Sequence, residues 1–157
     1  MFVIIYRMKK YYDLESASRL LTRLPLLSDL PGDDINGLAA KTRFEQAERD
    51  QVIFYQGDPC DRVWLVFAGR VKIVYHDTDG REVILEMISP GEVFGGTVLF
   101  FPVHPATAIA MEDSVLASFC ADAYSQFLLQ RPATILKLLR MLGVRHLAMI
   151  NMQTMAG

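Results

Sequence analysis

A mainly β domain flanked by helices is the fold class this sequence predicts, and three observations predict it. Between residues 44 and 120, segments rich in β-branched and aromatic residues, such as QVIFY, RVWLVF, RVKIVYH and REVILEMI, recur about every ten positions between turn residues. One separator, DTDG at 77–80, signals a hairpin, because Asp-Gly supplies the positive φ angles of a tight reversal. On either side of this region the hydrophobic period lengthens to that of a helix. Strands so spaced imply an antiparallel sandwich, barrel or roll.

Each element follows in order. The opening MFVIIYRMKKYY places its basic residues after the apolar run, the reverse of a signal peptide, and reads as a short strand, a start-site extension or a frayed arm. Leu14, Ala17, Leu20, Leu21 and Leu24 follow at helical spacing, and Pro25 stops that helix. A second short helix is predicted from Asp33 to Lys41, with Asp33 or Asp34 at its N-terminal end. The strands then occupy 44–120. After them ADAYSQFLLQ forms a helix halted before Pro132, and ATILKLLRMLGVRHLAMINMQTM a helix of about 20 residues, hence about 30 Å. The chain therefore divides into an arm with short helices (1–43), a β domain (44–120) and a helix pair (121–157).

Composition excludes several functions. A chain of 157 residues holds one ordinary domain, and a formal charge of -2 without a basic patch argues against binding nucleic acid through its own surface. Cys60 and Cys120 form no CxxC or Cys/His cluster, so neither a zinc nor an iron–sulfur site is readable, and two reduced thiols fit a cytoplasmic protein. No window reaches 18 uncharged apolar residues, which argues against a membrane partner. The three histidines are isolated, without the HxH spacing of a jelly-roll metalloenzyme, and no nucleophile elbow, P-loop or HExxH motif occurs. No enzyme activity is predicted.

The final helix carries more apolar surface than one sheet can cover. Turning about 100° per residue from Lys137, the side with Lys137, Arg140 and Arg145 is polar. The remaining arc holds Leu136, Leu139, Gly143, His146, Met149 and Ile150, with Leu138, Met141 and Leu142 extending it. Part of such a stripe is expected to meet a second copy, making a homodimer.

The run VIFYQGDPCDRVWLVFAGRVKIVYHDTDGREVILEMISPGEVFGG supplies further marks: Gly57 and Asp58 after an aromatic strand, Asp61, Ala68-Gly69, Asp79-Gly80-Arg81-Glu82, Pro90-Gly91-Glu92 and Phe94-Gly95. In that order they resemble the cyclic-nucleotide-binding-domain superfamily, and within it the sensor domain of Crp/Fnr-type bacterial transcription regulators. The resemblance implies a double-stranded β-helix, a jelly-roll-like β-roll of about eight strands, with a short helix after Gly95 and a long C-terminal dimerisation helix. It also implies a helix-turn-helix domain beyond Gly157, through which DNA would be bound, and a signal passed from a pocket in the roll to the dimer helix.

The same resemblance places the effector pocket on Phe94, Gly95, Gly96, Thr97, Val98, Leu99, His104, Ala106, Thr107 and Ala108. Family members that bind cyclic AMP or cyclic GMP use a Glu for the ribose and an Arg for the phosphate. Aligned on Phe94-Gly95, those positions fall on Gly96 and Ala106, so cyclic nucleotide is not expected by the usual mode. The charge-assisted hydrogen bonds lost are worth about 1.5 to 3 kcal/mol each, or about two to four decades of affinity together. His104 is a poor stand-in, because an ordinary imidazole is mostly neutral at pH 7. The apolar run Val98–Val103 suits a different effector or none. Haem is the candidate cofactor, since some Crp/Fnr-type regulators sense gases with it; His104 or His146 would be its axial ligand, and His76 is better suited to a hairpin end. The alternative is a standalone regulatory or protein-interaction module without DNA binding.

Overall fold

The computed structural model describes residues 14–96 and 101–156, without the side chains of Leu14, Ser16, Met149 and 152–156. The opening arm and the segment Thr97, Val98, Leu99 and Phe100 lie outside the described residues, as does the short helix expected after Gly95.

Helices α1 (Leu14–Thr22) and α2 (Gly32–Ala39) come first. Eight strands follow among the described residues: β1 (Arg43–Ala47), β2 (Val52–Phe54), β3 (Arg62–Ala68), β4 (Val71–His76), β5 (Glu82–Ile88), β6 (Val93–Phe94), β7 (Thr107–Ala110) and β8 (Ser114–Cys120). They form two four-stranded antiparallel sheets, ordered β1-β8-β3-β6 and β2-β7-β4-β5. Successive strands thus alternate between sheets more often than they pair, as in a roll. Helices α3 (Ala121–Leu129) and α4 (Pro132–Ala156) close the chain.

Strand β3 shows why RVWLVF is unbroken in its apolarity. A strand points successive side chains to opposite faces, and both faces of β3 are covered. Trp64 and Val66 enter the space between the sheets with Phe54, Phe94 and Leu116. Val63 and Leu65 face the helical layer, with Leu21, Phe119, Leu128 and Leu138. The β4–β5 hairpin forms as predicted: Asp77 Oδ1 accepts from the backbone N–H of Asp79 at 2.9 Å and of Arg81 at 2.8 Å, and Gly80 takes φ 79°. His76 is exposed at its end.

Helix α4 is 25 residues long, extending the predicted run by one residue at each end, and Pro132 opens it. A proline suits the first helical position, where its missing N–H costs nothing. Just before it, Arg131 reaches back to Asp34 of α2 at 2.9 Å and lies 4.0 Å over the Phe127 ring. The base of the long helix is thereby tied to the helical layer.

The wheel needs one correction. The stripe of α4 that faces the roll is Thr134, Leu138, Met141 and Arg145, at alternating four- and three-residue steps. Arg145, assigned above to the polar side, is among these inward residues, its side chain only 18% exposed. Leu136, Leu139, Gly143, His146 and Ile150 are exposed, joined by Leu142, Val144 and Leu147, which extend the outer apolar surface.

Candidate functional site

A cavity of about 560 Å³ lies between the roll and the helices. Its roll side carries Phe54, Ile73, Phe94, Gly95, Gly96 and Ala106, and its helical side Tyr124, Leu128, Leu138, Leu139, Leu142 and Arg145. The size suits a drug-sized ligand.

The floor is built by the tight approach of Gly95 to β3. Its φ is 73°, and a Cβ there would stand 3.1 Å from Trp64 Cδ1. Glycine alone adopts this conformation cheaply, and here it also allows the approach. At Gly96 the situation differs: an added Cβ would meet nothing within 4 Å. Ala106 is buried beside Thr107, whose hydroxyl accepts from the Gln56 N–H at 2.9 Å, while Ala108 sits in the ladder opposite Ile73.

His104 also walls the cavity. Backbone bonds fix it, its N–H donating to the Asp58 carbonyl at 2.9 Å and its carbonyl accepting from the Gly57 N–H at 2.8 Å. The ring stacks on Phe54, with centroids 3.6 Å apart and planes 10° from parallel, and its Nδ1 is 3.4 Å from Cys60 Sγ. Burial lowers its pKa, outweighing the opposing pull of Asp58 and Asp61, so the imidazole is neutral at neutral pH. The GDPCD turn and the distant His-Pro pair, separate marks in the sequence, are therefore one construction. It gives the cavity no cation.

The cation comes from the long helix. Arg145 Nη1 donates to the Val93 carbonyl and lies 3.9 Å from Glu92 Oε2, and Nη2 lies 3.5 Å from Glu86 Oε1. Among the described residues, Arg145 Nε and the Tyr124 hydroxyl are buried without a hydrogen-bond partner. Burial raises the Tyr124 pKa, keeping that hydroxyl a donor.

A cyclic nucleotide-binding domain model matches residues 44–131, which contain α3 and all of the roll but the first residue of β1. The chain belongs to that family. Among its relatives is the CRP-like cAMP-activated global transcriptional regulator of Mycobacterium tuberculosis, 28% identical over 127 residues, 80% of this chain and 57% of the regulator. The chain thus spans little more than half the length of that relative. The N-terminal domain of a transcriptional regulator from Streptomyces coelicolor is 31% identical with a TM-score of 0.61, covering 80% of this chain and 91% of that domain. The sensor domain of the transcriptional regulator DNR from Pseudomonas aeruginosa is 27% identical with a TM-score of 0.72, covering 88% and 93%.

Within this cyclic nucleotide-binding domain, the structure gathers Phe94, Gly95, Gly96, His104 and Ala106 on one cavity wall. Thr107 and Ala108 lie behind them in β7, and Thr97, Val98 and Leu99 are outside the described residues. His146 is exposed and does not line the cavity. Among the described residues no three His, Cys, Asp or Glu side chains converge as a metal site, and no helix is long and apolar enough to cross a membrane. Sequence reasoning missed Tyr124 and Arg145. The signal for Arg145 was the 134/138/141/145 row, where it follows two apolar residues at helical spacing.

Proposed function

We propose that this chain is the sensor part of a Crp/Fnr-type transcription regulator whose pocket takes something more apolar than a cyclic nucleotide and reports its occupancy to a dimer helix. One observation carries the proposal. The cavity is lined by Gly96 and Ala106, the positions that the resemblance gives to the family's charged readers, and its far wall is the long helix itself, through Leu138, Leu139, Leu142 and Arg145. A ligand in it touches sensor and transmitter at once. The exposed outer face of α4, with Leu136, Leu139, Leu147 and Ile150, is the surface by which two copies would pair, and Gly143 permits close approach there. DNA contact belongs to a further domain of the complete regulator.

Calorimetry with cyclic AMP and cyclic GMP, together with sedimentation at micromolar protein, tests this. The expected result is a dimer that gives no binding heat below about 100 μM nucleotide, as expected for a site short of two charged contacts. Micromolar nucleotide affinity, or a monomer, would overturn it.

A second reading, haem, has one observation in its favour: a neutral imidazole on the wall of an apolar cavity, its Nδ1 engaged by Cys60. His104 would be the ligand, through Nε2, and haem would supply gas binding at its iron. An absorbance spectrum with added haem, comparing H104A, decides it: a Soret band that depends on His104 supports haem, and its absence removes it.

A further inference from the structure

The two buried side-chain polar atoms without a partner among the described residues, Tyr124 Oη and Arg145 Nε, belong to residues lining the same cavity. Buried polar groups are nearly always hydrogen-bonded, so two orphans on one cavity mark where acceptors are to be supplied. Both are donors: the phenol is held protonated by burial, and a guanidinium has no acceptor. The walls between them are aliphatic and aromatic, including Ile73, Phe94, Leu128 and Leu138.

Charge narrows the class. Two carboxylates, Glu86 and Glu92, stand against the one guanidinium of Arg145, whose Nη1 is already bonded to the Val93 carbonyl. An anionic head would face that surplus of negative charge in a partly buried site. Phosphates and fatty acids are disfavoured alike. We infer that the cavity takes an uncharged, largely aliphatic molecule carrying carbonyl-type oxygen acceptors, such as an acyl ester or lactone, for Tyr124 Oη and Arg145 Nε. This deepens the proposed function and rests on its reading of the pocket.

The experiment displaces the apolar fluorophore N-phenyl-1-naphthylamine from the full chain with methyl octanoate or octanoate at pH 7.5. The ester should compete at least about tenfold better than the carboxylate, and Tyr124→Phe, with the fluorophore affinity measured for each variant and used to correct the competition, should weaken the ester about three- to tenfold, the worth of one neutral hydrogen bond. Arg145→Lys, which keeps the charge and moves the donor, should weaken the ester similarly and serves if the Tyr124 variant does not fold. Carboxylate binding as tight as ester would make this an acid site and overturn the inference. So would ester affinity indifferent to both substitutions, which would mean that water satisfies the donors. Micromolar cyclic AMP binding would instead remove the underlying reading of the pocket, whatever the ester does.

Discussion

Placing at positions 96 and 106 the two side chains that the family resemblance assigns there, by Gly96→Glu with Ala106→Arg, should turn the cavity into a cyclic-nucleotide site. The structure has room for both. At Gly96 an added Cβ meets nothing within 4 Å, and its backbone lies outside the left-handed region, so a larger residue is not strained there. Ala106 lines a cavity of about 560 Å³, into which a guanidinium can extend. Each charge-assisted contact is worth about 1.5 to 3 kcal/mol, so the pair should add about 3 to 6 kcal/mol, or about two to four decades of affinity. Calorimetry with cyclic AMP should show little heat for the parent at about 100 μM and a saturable isotherm in the low-micromolar range for the double variant, with the single variants between them. The negative charge of Glu86 and Glu92 near the far wall should hold the gain toward the lower end. A double variant that unfolds at the parent's urea midpoint yet binds no nucleotide at about 1 mM would show that positions 96 and 106 are not the missing readers.

Three further outcomes follow from single residues. Gly95→Ala should destabilise by about 2 kcal/mol, from its φ of 73° and the 3.1 Å approach to Trp64, whereas Gly96→Ala should stay within about 0.5 kcal/mol by urea unfolding. Because burial depresses the His104 pKa, the folded state binds fewer protons than the unfolded one; stability should be full above about pH 7 and fall as pH drops toward 5, by at most about 1.4 kcal/mol per unit. Urea midpoints for the parent and His104→Asn across that range should differ in slope, the variant being flatter. Leu139→Glu or Leu147→Glu on the exposed face of α4 should give a folded monomer by sedimentation, while Leu138→Ala, on the inward stripe, should cost about 2 to 3 kcal/mol of unfolding free energy.

The β region was legible because its period and its turns agreed. DTDG forms the predicted hairpin, and the apolar runs became β2 to β5 with ends shifted by no more than one residue. Other strands were not legible in that way. β1 is RFEQA, with a single buried side chain, and β6 has two residues, too short for any period to show. What makes them strands is pairing with distant partners, Phe44 with Ala117 and Leu65 with Val93, and sequence spacing does not record such registers. The site divided along the same line. The GEVFGG run and the uncharged Gly96 and Ala106 on the cavity wall could be read locally. Arg145 could not be placed by charge alone, because a long side chain can bury its stem and still reach polar partners. Its partners, Glu86, Glu92 and the Val93 carbonyl, lie more than fifty residues away.

That placement also limits which ligands could work as a signal. In the proposed mechanism α4 walls the cavity through Leu138 and Arg145 and meets the partner through Leu136, Leu147 and Ile150, with Leu139 and Leu142 at the border of both, so turning the helix changes both. Arg145, held at the Val93 carbonyl and near two glutamates, fixes the resting position. To move a two-state equilibrium from 1:99 to 99:1, a ligand must favour one state by about 5.5 kcal/mol. One neutral hydrogen bond, to Tyr124, and one charge-assisted bond, to Arg145, supply about 3 kcal/mol of that. The remainder, about 2.5 kcal/mol, corresponds to about 100 Å² of apolar surface buried in one state and not the other, at about 25 cal/mol per Å². Leu138, Leu139 and Leu142 offer apolar contact of that order, and a polar head by itself cannot reach it. A small polar effector could occupy this pocket without switching the helix, whereas one with an aliphatic body could do both.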